Sequence, residues 1–117
     1  MNKIQLTLIT LFFGINVFSQ GTVSTLVDTN AFQFTDDLIF DASGNLYCAD
    51  YSGDAIFKRT PSGDISIFAS GMNTPNGLAF DSGGNLFVCD NIGNAIYKIS
   101  SSGVFLDTFT VSTFWCS

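Results

Sequence analysis

Residues 38–63 read LIFDASGNLYCADYSGDAIFKRTPSG, and residues 78–103 read LAFDSGGNLFVCDNIGNAIYKISSSG. Laid one over the other they run for 26 positions at a constant offset of 40 without a gap, and 13 positions are identical. The shared residues are turn formers (Asp, Gly, Asn, Ser), apolar residues (Leu, Phe, Ile, Ala) and one Lys. A repeat of this period is a structural unit stacked on its own copy, so its reading decides the fold.

The unit divides into short strands and turns. Gly77 to Phe80 predicts a first strand, and Asp81-Ser82-Gly83-Gly84-Asn85 a turn rich in residues that tolerate positive φ. Leu86 to Asp90 predicts a second strand, Ala95 to Ser100 a third and Val104 to Thr110 a fourth, with turns between them. A four-stranded meander at a period near 40 is the pattern of a β-propeller blade, so the fold class expected is all-β. Gly44-Asn45 and Gly84-Asn85 build the first hairpin of each unit. Asp50 and Asp90 end the second strand, where a carboxylate can accept N–H groups of the following turn. Ile56 and Ile96 are expected between blades, and Phe40 and Phe80 to fill the inner strand. Asp41-x-Ser43-x-Asn45 and Asp81-x-x-Gly84-Asn85 look superficially like calcium loops. They lack the length and closing bidentate acid of an EF-hand and are read as hairpin turns.

The spelling D-x-x-G-N-L-[YF]-x-x-D-x-x-x-x-x-I-x-K followed by S-G resembles the NHL repeat of six-bladed propellers. It is also similar to the SMP-30/gluconolactonase-like propellers, over about residues 33–109. In the latter enzymes a P-N-G-L stretch carries an Asn whose amide oxygen binds a divalent metal, and Asn76 in Pro75-Asn76-Gly77-Leu78 matches it. The resemblance thus implies calcium as a possible cofactor, with Asn76 as one ligand. Two departures weigh against it: the chain has no Glu to supply the early ligand, and the later Asp ligand falls in blades this sequence does not contain. Asp36, at the position equivalent to Asn76, and Asp37 are placed near the same channel mouth as solvated loop residues.

Composition narrows the function classes. The chain has 117 residues, 46% hydrophobic, with four Lys+Arg against ten acidic residues and a net charge of −6. All ten acids are Asp, and there is no His. Without His there is no Ser-His-Asp triad, no His-ligated zinc and no imidazole base. A chain this acidic lacks the basic footprint of a nucleic-acid binder. No stretch resembles a nucleophile elbow, a P-loop or a dinucleotide turn. Cys48, Cys89 and Cys116 have no metal-ligand spacing. Cys48 aligns with Val88 and Cys89 with Ala49, so the two should face opposite sides and stay unpaired with each other. They are read as small buried residues, leaving Cys116 free or intermolecular. Lys58 and Lys98 are expected on an exposed face, and Asp54, Asp64 and Asp107 in solvent.

Lys3 followed by the uncharged, mostly apolar run from Ile4 to Val17 and the small-residue pattern at Val17-Phe18-Ser19 has the layout of a signal peptide over 1–19. The run is too short and too polar to span a bilayer, so a secreted or periplasmic chain with no stable membrane span after cleavage is expected. Gly21 to Leu26 resembles Gly63 to Phe68 and is read as a lone outer fourth strand. Residues 20–110 then form a partial NHL-type propeller of two blades plus that strand, and 111–117 a ragged end with Trp115. Two blades do not close a ring of roughly four to eight. A truncated chain is the first expectation, and a ring closed by copies of a short protein, as in small lectin-like assemblies, is the second. The function expected is a non-enzymatic binding or scaffold surface for a protein, peptide or glycan. A calcium-dependent lactonase or hydrolase is the alternative.

Overall fold

The structure, a computed structural model of the 117-residue chain, describes residues 22–26, 32 and 34–110. The leader expected over 1–19, the end at 111–117, Trp115 and Cys116 lie outside the described residues. The strands run in chain order as β1 (Thr35–Phe40), β2 (Leu46–Asp50), β3 (Ala55–Arg59), β4 (Ile65–Ser70), β5 (Pro75–Phe80), β6 (Leu86–Asp90), β7 (Ala95–Ile99) and β8 (Phe105–Thr110). They form two four-stranded sheets, β1-β2-β3-β4 and β5-β6-β7-β8, antiparallel throughout. Each sheet is one repeat unit, and the two are propeller blades. Thr22 to Leu26 is exposed and forms no strand, which corrects the expected extra outer strand. A fourth strand needs the ladder of a third, and the other strands of both blades are already paired in order.

The ladders fix which side chains share a face, because directly opposed residues point the same way. In the first blade Leu38, Cys48, Phe57 and Ile67 make one row; Ile39, Tyr47, Lys58 and Ser66 make a row on the opposite face. In the second blade Leu78, Val88, Tyr97 and Thr108 lie on one face, and Gly77, Cys89, Ile96 and Phe109 on the other. The blades meet through the Tyr47 face of the first and the Val88 face of the second, with β5 laid against β1 and β2.

That contact is the hydrophobic core. Tyr47, Ala49, Ile56, Ala69 and Met72 pack with Leu86, Val88 and Ile99, and Ile39, Phe68, Leu78, Phe80 and Tyr97 close its edge. A bulge between β3 and β4 brings Phe68 in beside Ala69, so that its ring meets Tyr47 edge-on at 4.9 Å. Phe80 meets the same Tyr47 ring from the second blade at 5.3 Å. Burying each of the larger side chains here contributes about 1.5–3 kcal/mol. Sequence equivalence does not carry over to burial. Ile56 is fully buried, but Ile96 faces away from the first blade and is only half-buried. Phe80 packs against the core, whereas Phe40, on the outward face of β1, is 53% exposed. The expected roles of Ile96 and Phe40 need a further blade beside them.

Two glycines carry the turns. Gly44 and Gly84 both sit at φ +83°, where a Cβ is strained, and this conformation turns β1 into β2 and β5 into β6. Leu86 lies at the centre of the interface with no exposed surface. Leu86→Ala is expected to cost about 2–5 kcal/mol, read as a lower urea midpoint with the cooperativity of unfolding retained.

Candidate functional site

Four of the described aspartates accept backbone N–H groups from beyond the next residue. Asp41 Oδ1 accepts the Ser43 and Asn45 N–H groups at 2.9 Å each, and Oδ2 accepts the Asn45 side-chain amide at 2.8 Å and the Tyr47 hydroxyl at 3.1 Å. Asp81 repeats this with the Gly83 and Asn85 N–H groups and the Asn85 amide, all at 2.9 Å. Phe87 offers no hydroxyl, and Lys98 Nζ approaches Asp81 at 4.0 Å instead. These loops are hairpin turns closed by their own first residue.

Asp90 is the third. It is 1% exposed and accepts Asn73 N–H at 2.7 Å, Thr74 N–H at 2.9 Å and Gly93 N–H at 2.8 Å. It thereby ties the blade-to-blade connection to the β6–β7 turn, and a Cβ at Gly93 would collide with its carboxylate. Asp50 is less buried and accepts the Ser52 hydroxyl at 3.3 Å. Asp37 is the fourth. Asp36 and Asp37 belong to β1, not to a loop, and Asp37 Oδ2 accepts the Leu78 N–H at 2.9 Å. The carboxylate expected in solvent is thus a bridge between the inner strands of both blades, while Asp36 is exposed.

Asn76 is the second residue of β5 and is 7% exposed, with its side-chain oxygen buried. Of the acids on the neighbouring inner strand, Asp37 is already bound to Leu78 and Asp36 is exposed. Among the described residues no three His, Cys, Asp or Glu side chains come together to hold a metal. Calcium takes six to eight oxygens, so the described residues do not by themselves compose a calcium site.

The two lysines are half-buried, each with its stem and cation drawn over a ring. Lys58 Nζ sits 5.6 Å from the centre of the Tyr47 ring, and Lys98 Nζ 5.7 Å from that of Phe87. Each cation lies over the aromatic residue opposite it in the ladder. Cys48 is buried and free, and burial pushes its thiol up to about 11. Cys89 is disulfide-bonded and only half-buried, unlike the inert buried residue expected.

A feature absent from the sequence reading lies between the two first hairpins. A groove of about 480 Å³ crosses the blade boundary, with Phe40, Ser43, Tyr47 and Lys58 on one side and Phe80 and Ser82 on the other. Its two walls are equivalent turns of the repeat, 40 residues apart, so the repeat itself was the signal for it.

These blades belong to the β-propeller class of fold. No protein-family model matches the chain, and no curated protein matches it. Among solved structures it is similar to selenomethionine-substituted virginiamycin B lyase from Staphylococcus aureus, at 24% identity over 65% of this chain and 26% of that one, with a TM-score of 0.55. A streptogramin B lyase structure matches at 19% identity over 65% and 26%, with a TM-score of 0.58. A catalytically inactive variant of virginiamycin B lyase from Staphylococcus aureus with quinupristin matches at 16% identity over 82% and 33%, with a TM-score of 0.65. At these identities the likeness is one of fold. The chain spans about a quarter to a third of the length of those proteins.

The turn carboxylates set a pH dependence. Burial pushes the Asp41 carboxyl up, but the bonds from Asn45, Tyr47 and Ser43 outweigh it and hold it below the ordinary 3.8. The Asn45 counterpart Asn85, first through its side chain and then its N–H, holds Asp81 below 3.8 as well. A depressed folded value gives stability that is complete above the unfolded value and is lost as pH falls through the folded one. The thermal midpoint should therefore drop on acidification below pH about 4. In the Asp41→Asn, Asp81→Asn double variant the midpoint at neutral pH should be lower and the acid drop shallower.

Proposed function

We propose that this chain supplies adjacent blades of a non-enzymatic propeller binding module, and that the groove between its first hairpins takes a peptide or glycan segment. One observation carries the reading. In the groove the Asp41 and Asp81 carboxylates are committed to their own turns, while the Phe40 ring is 53% exposed and Lys58 and the Ser43 and Ser82 hydroxyls line the walls. An apolar ring flanked by hydroxyls and a single cation suits a ligand with an apolar face and polar edges. Loops on a rigid scaffold are where such contacts are made. The lyases similar in fold leave an enzymatic role for a larger propeller as the second reading, and buried Asn76 favours it.

Two measurements separate the readings. On peptide and glycan arrays, Phe40→Ser combined with Lys58→Ala should lower retention of bound probes at least tenfold while the circular dichroism spectrum stays that of the parent. Equal retention by both proteins would count against the groove. Calcium at millimolar concentration should leave the thermal midpoint of the parent unchanged. A rise in the midpoint that vanishes in Asn76→Ala would move the assignment to the metal-dependent enzyme class.

A further inference from the structure

We infer that Cys89 is bonded to Cys116, and that residues 111–117 are thereby strapped across the outer face of the second blade, with Phe114 seated on Ile96. This goes beyond the binding reading, since it concerns that face and not the groove.

The pairing follows from the thiols. The chain has three cysteines. Cys48 is free and buried, and Cys89 is disulfide-bonded within this one chain, which leaves Cys116 as its partner. The free or intermolecular Cys116 expected from the sequence gives way to an intramolecular bond.

The strand ladders say what that bond does to the segment before it. Gly77, Cys89, Ile96 and Phe109 make one row across β5, β6, β7 and β8, on the face turned away from the blade contact. β8 ends at Thr110, next to Phe109 and two strands from Cys89. Neighbouring strands lie just under 5 Å apart, so the Cys89 backbone is about 10 Å away across the sheet. The six residues from Val111 to Cys116 reach at most about 20 Å. They can return to Cys89, and the direct path lies over Ile96.

The face suits such a segment. Gly77 stands opposite Cys89, and a Cβ there would come within 3.3 Å of the Cys89 Cβ and 3.8 Å of its sulfur. The missing side chain clears the approach to the sulfur. The first blade has Asp37 and Ala49 at the equivalent positions, so of the two blades only the second pairs a cysteine with a glycine. A depression of about 430 Å³ lies at this place, with Gly77, Phe87, Cys89 and Ile96 in its lining. Residues 111–117 read VSTFWCS, without a charged side chain and with two aromatic ones. In an extended segment residues two apart share a side, so Phe114 faces the sheet together with Cys116. One strand spacing separates Cys89 from Ile96, comparable to the two-residue rise from Cys116 back to Phe114, and this sets the Phe114 ring over Ile96.

Trypsin cuts after Lys58, Arg59 and Lys98 and so puts the three cysteines on separate peptides. With free thiols first capped by iodoacetamide, mass spectrometry of the monomer band from a non-reducing gel should find residues 60–98 joined to residues 99–117, and Cys48 capped. A capped Cys116, a bond to Cys48, or the joined pair confined to a dimer band would overturn the pairing. A double-mutant cycle on the oxidised full chain reads the seat. Phe114→Ala and Ile96→Ala should each lower the thermal midpoint, and the double variant should lose clearly less than the two single losses combined. Additive losses, or an unchanged midpoint in Phe114→Ala, would sink the strap. Phe114→Leu and Ile96→Val replace the pair if either alanine variant loses the parent's circular dichroism spectrum. Array retention by Cys116→Ser, which frees the strap and leaves the groove residues in place, reads the groove separately, so failure of one reading is distinguishable from failure of the other.

Discussion

A single twisted four-stranded sheet of this size has two faces and no core of its own. What gives these sheets an interior is the contact between them, with Leu86, Val88 and Ile99 pressed against Tyr47, Ala49 and Ile56. Several other features lean on that contact. Phe68 and Phe80 are oriented by a shared ring, Tyr47, which also holds the Asp41 turn through its hydroxyl. Met72 enters the same cluster from the connection between the blades, and that connection is fixed one residue later by Asp90. Removing apolar volume from the interface would therefore loosen turns and connection together, as expected for stacked repeats stabilised by neighbours.

The acidic character of the chain has a structural explanation in the same terms. A carboxylate one carbon from the backbone reaches N–H groups two to four residues onward, and Asp41, Asp81 and Asp90 all do so. Asp37 reaches across to the next inner strand. A longer Glu would overshoot these turns, which fits a chain whose acids are all Asp. Part of the net charge of −6 is thus a by-product of turn construction.

The strands were legible because the repeat states them twice. Leu86–Asp90 agrees with its expected bounds, and the other strands of the second blade differ by one or two residues. Burial was less legible, for a physical reason. Period-two alternation says which face a residue takes, but not whether anything stands against that face. Ile56 and Ile96 have the same pattern and different surroundings. The Lys58–Tyr47 and Lys98–Phe87 pairs needed the strand register, which a lone sequence motif does not give. Asp37 was hidden because its partner lies 41 residues away on the other blade. The groove was hidden because it belongs to neither unit alone.

Where the two copies differ is as informative as where they agree. The identical residues sit in the turns and at the strand positions that build each sheet. Several departures fall on the surfaces that one blade shows to its surroundings. Tyr47 against Phe87 decides whether the first-hairpin aspartate takes a hydroxyl or a lysine. Ala49 against Cys89 places a disulfide on the second blade where the first has only a methyl group in the blade contact. Asp36 against Asn76 puts an exposed charge and a buried amide at matching ends of the inner strands. Selection for the fold alone would tolerate the same residue at both copies of each pair. The asymmetry is what a repeat needs if each boundary is to have its own neighbour.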